Sequence, residues 1–376
     1  MGKLRIGVNA RLWIPGKMEG IGRFTKEVLS RMIPAHPEVE FHLYFDRTPP
    51  QEAQFPNAHL HRVLPPARRT WLFDWWFNRS IPKKLRKHGV DLFISTDGFL
   101  SLKTDVIQLP VIHDLNFVHH PEWLPDEIAA YYKSRFPAFA MKAERITTVS
   151  EFSKKDISKT YRIAPDKIDV VYNGVGPNFQ PVSIDKQSDA RDRWASGRSY
   201  FIFVGSLHPR KNLKGLVSAF DIYRKKGGEN DLVIVGASMW EESLDYSKSL
   251  DADVLSSIHQ VGRLQPEALN LALASAEALI FIPLFEGFGI PIIEAFKCET
   301  PVICGNVTSL PEVAGDAAIL VDPCDMDEVS DKMLDIEQDE ELRSKLIAKG
   351  RERAKEFSWE NSAQLMWESI KRTGIC

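Results

Sequence analysis

The chain has 376 residues, 44% of them hydrophobic and 26% charged, with a net charge of −3. This composition excludes a largely disordered chain, and no apolar run reaches the roughly 18 residues that a membrane-spanning helix needs. The small net charge hides an asymmetry: residues 1–180 hold 26 Lys and Arg against 19 Asp and Glu, leaving 22 against 32 for the remainder, so an anionic partner is expected on the first half.

The length exceeds one ordinary core and predicts two domains. Leu4 to Val8 reads as a first strand, entered from Met1-Gly2-Lys3 without the apolar core of a signal peptide. A loop from Asn9 to Met18 leads to Glu19-Gly20-Ile21-Gly22-Arg23. Apolar residues at Ile21, Phe24, Val28, Leu29 and Met32 then recur at helical spacing. By itself a Gly-x-Gly is most simply a tight turn. Further strands are expected over 39–45, 91–94 and 106–112, and strands alternating with helical stretches predict a parallel, doubly wound sheet. Ligands of such sheets bind beyond the carboxyl ends of the strands, where His113 and Asp114 follow Val111-Ile112.

Arg68 to Phe77 is rich in arginine and aromatics, and Lys83 to Lys87 is basic. Two readings stand: aromatics packed on the sheet with solvated cations, or a basic amphipathic surface resting on anionic lipid headgroups. A strand over 145–149 precedes Ser150, a suitable N-cap for a helix from Glu151 to Tyr161. The polar tract 181–198 is taken as the domain boundary.

Tyr200 to Val204 restarts the pattern, and the Gly205 turn carries Arg210 and Lys211 just before a helix starting near Asn212. Cations beside a helix N-terminus suit a phosphate. Strands are expected over 232–236 and 258–264, 278–282, 301–304 and 318–321, and an amphipathic helix from Trp359 onward. The strand Ala278 to Ile282 runs into Leu284-Phe285-Glu286-Gly287-Phe288-Gly289-Ile290-Pro291-Ile292-Ile293-Glu294. The glycines let backbone approach a ligand, Pro291 suits the first helical position, and the free N–H groups of a helix start attract phosphate. Glu286 and Glu294 add two carboxylates, which accept hydrogen bonds from vicinal hydroxyls. Sugar on either side of a phosphate would satisfy both kinds of group.

Glu286, seven residues, then Glu294, enclosing Gly-Phe-Gly-Ile-Pro, resembles the E-x7-E signature of retaining glycosyltransferases of family 4. The resemblance implies the GT-B fold: α/β, two Rossmann-like doubly wound parallel-sheet domains facing across a cleft. It implies an acceptor domain over 1–180, a nucleotide-sugar domain over 181–357, and a helix over 358–376 crossing back to the first. It assigns Glu286 and His113 to the donor sugar, Glu294 to the ribose, and Arg210 and Lys211 to the diphosphate. The backbone of Gly287, Phe288, Gly289 and Ile290 would hold sugar and diphosphate, with Gly20, Gly22 and Gly205 in the glycine turns around them. Arg263 and Leu264 would lie near the base, and Asp114 on the acceptor side. The segments Val111 to Phe117, Val204 to Asn212 and Ser309 to Gly315 look most like the mannosyltransferase B-like branch, whose members extend bacterial surface polysaccharides.

That likeness implies GDP-mannose as donor and a glycan or lipid-linked glycan as acceptor. It leaves open a sugar-nucleotide epimerase of similar fold and a non-catalytic nucleotide-sugar-binding partner. No cofactor and no nucleic-acid partner are expected. The D-x-D pairs Asp251/Asp253 and Asp325/Asp327 do not end apolar strands, so no metal is expected in the transfer. Cysteines without C-x-x-C spacing fit a reducing compartment, so the chain is expected in the cytoplasm, working up to the inner face of the membrane.

Overall fold

A computed structural model describes residues 2–16, 20–237 and 250–375. The chain divides into two compact units, Met1–Gly174 with Trp359–Cys376, and Val175–Ser358. In the first unit five parallel strands, β1 (Arg5–Asn9), β2 (Glu40–Phe45), β3 (Ala58–Arg62), β4 (Leu92–Ser95) and β5 (Ile107–Pro110), lie in the order β3-β2-β1-β4-β5. A further parallel pair, β6 (Ile146–Thr148) and β7 (Ile168–Val170), continues from Val111, which bridges to Thr147. The chain therefore runs from β1 outward in one direction and resumes with β4 on the other side. The sheet has its switch point between β1 and β4.

β1, β2, β4 and β5 are legible as apolar runs because they are buried on both faces. β3, Ala-His-Leu-His-Arg, is an edge strand with no fully buried residue, and its polar composition hides it. The helix Gly20–Ala35 buries Phe24, Val28, Leu29, Met32 and Ile33. Gly20 and Gly22 thus stand in its first turn and not in a loop before it; Met18 and Glu19 lie outside the described residues. Ser150 caps the helix Glu151–Tyr161, its side chain accepting from Ser153 N–H at 3.0 Å.

The aromatic stretch is part core and part exposed. Trp76 and Phe77 are in the core, while Trp71 and Trp75 are 62% and 47% exposed, with the Arg79 guanidinium 4.7 Å from the Trp75 ring centre. The helix Trp359–Lys371 packs within the first unit: Glu360 pairs with Arg31 at 2.6 Å, Trp367 stacks on His36 at 3.6 Å, and Ser369 donates to Asp169 at 2.7 Å.

The second unit holds six parallel strands, β8 (Tyr200–Val204), β9 (Asp231–Val235), β10 (Ile258–Gly262), β11 (Ala278–Phe281), β12 (Val302–Gly305) and β13 (Ile319–Val321). Their order is β10-β9-β8-β11-β12-β13, with the switch point between β8 and β11. β8, β9 and β11 are buried throughout, as continuous apolar strands should be.

Two boundaries differ from the sequence reading. Residues 175–180 belong to the second unit, where Val175 N–H donates to Phe357 O at 3.3 Å and Gln180 N–H to Asn270 Oδ1 at 2.8 Å. The tract 181–198 contains a helix, Ile184–Ala195, that buries Ala190, Trp194 and Ala195; with so few apolar positions its period is faint. Cys298 and Cys304 are buried free thiols and Cys324 an exposed one, while Cys376 lies outside the described residues.

Candidate active site

The switch point of the second sheet gathers the groups singled out from sequence. Pro209–Lys211 is one 3-10 turn after β8, and Asn212, at φ 55°, then starts the helix Leu213–Lys225. The Asn212 amide fixes this turn by donating to Ile282 O at 3.2 Å and Pro323 O at 2.7 Å. Leu284 N–H donates to Arg210 O at 2.9 Å, so the loops after β8 and β11 are joined by backbone. Across that joint Arg210 Nη1 donates to Glu286 Oε1 at 2.5 Å and to Phe285 O at 3.1 Å, and Lys211 Nζ also donates to Glu286 Oε1. Lys211 lies 5.0 Å from the centre of the Phe281 ring.

Burial alone would raise the Glu286 carboxyl, but the charges of Arg210 and Lys211 and their hydrogen bonds outweigh it and hold the group below its ordinary range. Glu286 is therefore an ionised, acceptor-only group, not a general acid. Both cations take Oε1, which leaves Oε2 to accept from a ligand hydroxyl. Arg210 and Lys211 bring two cations to this turn, groups of the kind that receive a phosphate.

Gly289, at φ 101°, turns the chain into the helix Ile290–Lys297. A Cβ there would also meet Leu310 Cδ2 at 2.9 Å, so glycine is required twice over. The helix starts at Ile290, which makes Pro291 its second residue, one later than expected. Thr308 and Ser309 anchor the turn: Glu286 N–H donates to Thr308 Oγ1 at 3.3 Å and Ser309 Oγ donates to Glu286 O at 2.9 Å. Gly287 and Phe288 are buried, and the Phe288 ring meets Phe357 edge-on at 5.6 Å. Glu294 is buried on the same helix. A side chain at Gly205 would press on Phe203 at 3.3 Å and approach the Lys211 stem at 3.6 Å. Arg263 and Leu264 follow β10, two strands from β8, Arg263 exposed and Leu264 half-buried. The D-x-D pairs are at helix starts: Asp325 accepts from Glu328 N–H at 3.0 Å, and Asp251 is the N-cap residue of Ala252–Ser256.

The first sheet carries polar groups at its own switch point, and sequence reasoning missed most of them. Arg11 Nε pairs with Asp97 Oδ2 at 2.6 Å, both side chains buried, while Asn9 Nδ2 donates to Asp97 Oδ1 at 2.9 Å and Ser95 Oγ at 3.0 Å. Phe73 and Phe99 lie under the Arg11 guanidinium at 4.7 and 5.0 Å. Thr25, on the helix that starts at Gly20, donates to Thr96 Oγ1 at 2.7 Å. The available signal was polar residues placed directly after two apolar strands, Asn9-Ala10-Arg11 and Ser95-Thr96-Asp97.

His113 joins this group. Its Nε2 is 2.9 Å from Thr96 O, and Phe24 meets the ring edge-on at 5.3 Å. A carbonyl oxygen only accepts, so Nε2 carries the hydrogen and Nδ1 the lone pair. Burial lowers the pKa of the ring, against the opposing hydrogen bond to Thr96 and the charges of Asp114 and Asp97. His113 is thus neutral near pH 7, with Nδ1 an acceptor. Asp114 also has a local role: Oδ1 accepts from Asn116 N–H at 3.0 Å and from Asn116 Nδ2 at 2.5 Å, fixing the turn into Asn116–His119.

Residues 18–179 match the family described as Glycosyltransferase Family 4, and residues 185–353 match Glycosyl transferases group 1. The chain belongs to the family 4 glycosyltransferases. This glycosyltransferase is 28% identical over 357 residues to an O-antigen chain mannosyltransferase B of Escherichia coli, covering 92% of this chain and 93% of that one. It is 31% identical over 251 residues to an MMP alpha-(1->4)-mannosyltransferase of Mycolicibacterium hassiacum, covering 63% of this chain and 57% of the other. Its fold is GT-B; a sucrose-phosphate synthase from Thermosynechococcus elongatus aligns over 98% of both chains with a TM-score of 0.77 at 18% identity.

Within the glycosyltransferase, then, the second unit brings together Arg210, Lys211, Glu286 and the Gly287 to Ile290 turn, with Gly205 beneath them. The first unit brings together His113 and the helix that begins with Gly20 and Gly22. Arg263 and Leu264 stand at the end of β10, two strands from β8.

Proposed function

We propose that this glycosyltransferase moves a hexose, mannose first, with retention from a nucleotide diphosphate sugar to a glycan or lipid-linked glycan acceptor in surface polysaccharide synthesis. The observation that carries this reading is the Arg210–Lys211–Glu286 cluster at the second switch point, beside a glycine turn and a helix N-terminus. Its paired cations suit a diphosphate, and the ionised Glu286 suits the hydroxyls of the attached sugar. The relatives named as mannosyltransferases, one of them of O-antigen chains, support mannose and a surface glycan.

In the reaction the bond from the anomeric carbon to the phosphate oxygen breaks while the bond to the acceptor oxygen forms on the same face. The acceptor proton passes to the leaving phosphate. Arg210, Lys211 and the backbone N–H groups of Gly287 to Ile290 stabilise the charge that develops on the diphosphate, typically the largest catalytic term. Neutral His113 accepts from a sugar hydroxyl through Nδ1, and Glu294 holds the ribose. These groups supply the charge stabilisation without a metal ion.

Trp71 and Trp75, with Arg68, Arg69, Arg79 and Lys83 exposed around them, support docking of the first unit on an anionic lipid surface at the cytoplasmic face. The test of the transfer reading is to incubate the chain with GDP-mannose and a mannose-terminated lipid-linked glycan, with and without EDTA, and to resolve the product by NMR. An α-linked product formed at the same initial rate in both samples is expected. A β-linked product, a need for added metal, or conversion of the donor without any acceptor would overturn the reading.

A further inference from the structure

Away from these groups, four histidines gather on the first sheet. Side chains alternate along a strand, so Glu40, His42 and Tyr44 of β2 share a face. The register sets His59 and His61 of β3 opposite His42 and Tyr44. The helix Ile81–His88 covers this face and ends with His88 over it, its ring centre 4.2 Å from that of His61 and 4.9 Å from that of His42. The β1 residue opposite His42 is Gly7, where a Cβ would already meet the Tyr44 ring at 3.0 Å and Leu85 at 3.1 Å.

One ring nitrogen from each of His42, His61 and His88 lies within 4.8 Å of the other two. His42 Nδ1 and His61 Nε2 are 2.9 Å apart, a separation at which one of them must spend its hydrogen on the other. His42 Nε2 is buried and makes no hydrogen bond, although Glu40 Oε1 is 3.1 Å away. His88 Nδ1 is 3.0 Å from the Tyr44 hydroxyl, so its Nε2 is the nitrogen open to a ligand.

We propose that His42, His61 and His88 bind a divalent transition-metal ion of the zinc class, stapling β2, β3 and the helix Ile81–His88 together. Imidazole donors suit zinc, copper, nickel or cobalt and not magnesium or calcium. A metal on His42 Nδ1 would fix the hydrogen on Nε2, which Glu40 can then accept, and Tyr44 orients His88 in the same way; carboxylate and hydroxyl partners of this kind commonly support metal-binding histidines. Tetrahedral zinc–nitrogen bonds of about 2.0–2.1 Å place ligand nitrogens about 3.3 Å apart, so binding needs the half-buried His88 ring to swing inward.

The rings are already in the form that ligates. Burial and the neighbouring rings push His42 and His61 down to about 4, Lys84 adding to this at His61; burial, then Lys84, Lys87 and His59, lower His88, and Glu40 opposes the shifts of His42 and His88. His88 ends the helix that enters β4 at its amino end, whereas His113 and the Asn9–Asp97 group follow strand carboxyl ends. The metal site is therefore separate from the transfer chemistry.

The test is to strip the tag-free chain of metal and titrate it with zinc, then magnesium, following heat and thermal unfolding, with GDP-mannose binding as a second readout. One zinc per chain, a raised Tm and no response to magnesium are expected. GDP-mannose affinity should be the same with and without zinc. Removing the group that accepts the hydrogen of a metal-binding histidine typically costs 10–100-fold in metal affinity, so Glu40→Gln should weaken zinc about 10–100-fold and His61→Gln or His88→Gln at least tenfold. The metal-free Tm of each variant shows whether it remains folded. No zinc binding by the wild-type chain, or undiminished zinc affinity in a folded His61→Gln/His88→Gln double variant, would overturn the proposal.

Discussion

Glu286 accepts from Arg210 and Lys211 on a single oxygen, and this decides how the three residues should respond to substitution. A diphosphate entering between the two cations competes with a carboxylate that already neutralises one of them. Glu286→Gln removes that negative competitor and, with its amide oxygen held by the two cations, turns an NH2 donor where the sugar hydroxyl had an acceptor, so it should bind GDP more tightly than wild type while transferring more slowly. Calorimetry with GDP and a transfer assay would separate the two effects; weaker GDP binding would show that Glu286 supports the cations more than it opposes the diphosphate. Lys211→Ala should lower kcat by roughly 10²–10³-fold, the typical cost of losing one preorganised donor to a developing oxyanion.

His113 has a folded pKa below its ordinary value. Protonation is thus resisted in the folded chain. The stability this represents is complete above the unfolded value near 6.5 and is lost as pH falls through the folded pKa. If the neutral ring accepts from the donor sugar, the rate should not fall on this group's account between pH 8 and about 6.5, and should drop only below that. A His113→Gln variant should lose that acid limb; an unchanged acid limb in the variant would remove His113 from the reaction.

The elements show which parts of the fold and site were readable. The β8 and β11 turns could be read because each joins an apolar strand, glycines and a charged group in one local run, and local runs survive into the structure. Gly289 is such a case: its φ of 101° and the 2.9 Å approach of Leu310 to an added Cβ both demand glycine. Gly289→Ala should lower Tm and, on the proposed reading of this turn as the diphosphate site, weaken nucleotide-sugar binding with it, since strain of about 1–3 kcal/mol falls on the turn. The Ser150 cap is another; Ser150→Ala should cost about 1 kcal/mol, read by denaturant unfolding.

What could not be read depends on partners distant in sequence. Arg11 is meaningful only beside Asp97, 86 residues on, and the histidines of β2 and β3 only once the register is known. β3 itself is nearly free of the apolar signal because a sheet edge does not require it. Asp114 could be placed at a strand end from sequence, but its part in forming the turn shows only in its hydrogen bonds to Asn116.

At the scale of the whole molecule, the positive first half and the negative second half divide close to the observed boundary between units at Gly174 and Val175. The excess of basic residues in the first half includes the cations around Trp71 and Trp75, whose indoles are among the few large apolar side chains left exposed among the described residues. Vesicles containing phosphatidylglycerol should therefore retain the chain in a flotation assay. Trp71→Ser/Trp75→Ser should weaken this retention, as should raising the salt, without changing GDP-mannose affinity. Equal retention on neutral vesicles would argue against the electrostatic part.

On the proposed reading, the cluster after β8 and β11 receives the diphosphate of a nucleotide sugar. Calorimetric titration of GDP-mannose into the wild-type chain and into Lys211→Ala tests it most directly. One donor per wild-type chain and at least a tenfold loss of affinity in the folded variant are predicted. Equal affinity in the two proteins would contradict the account.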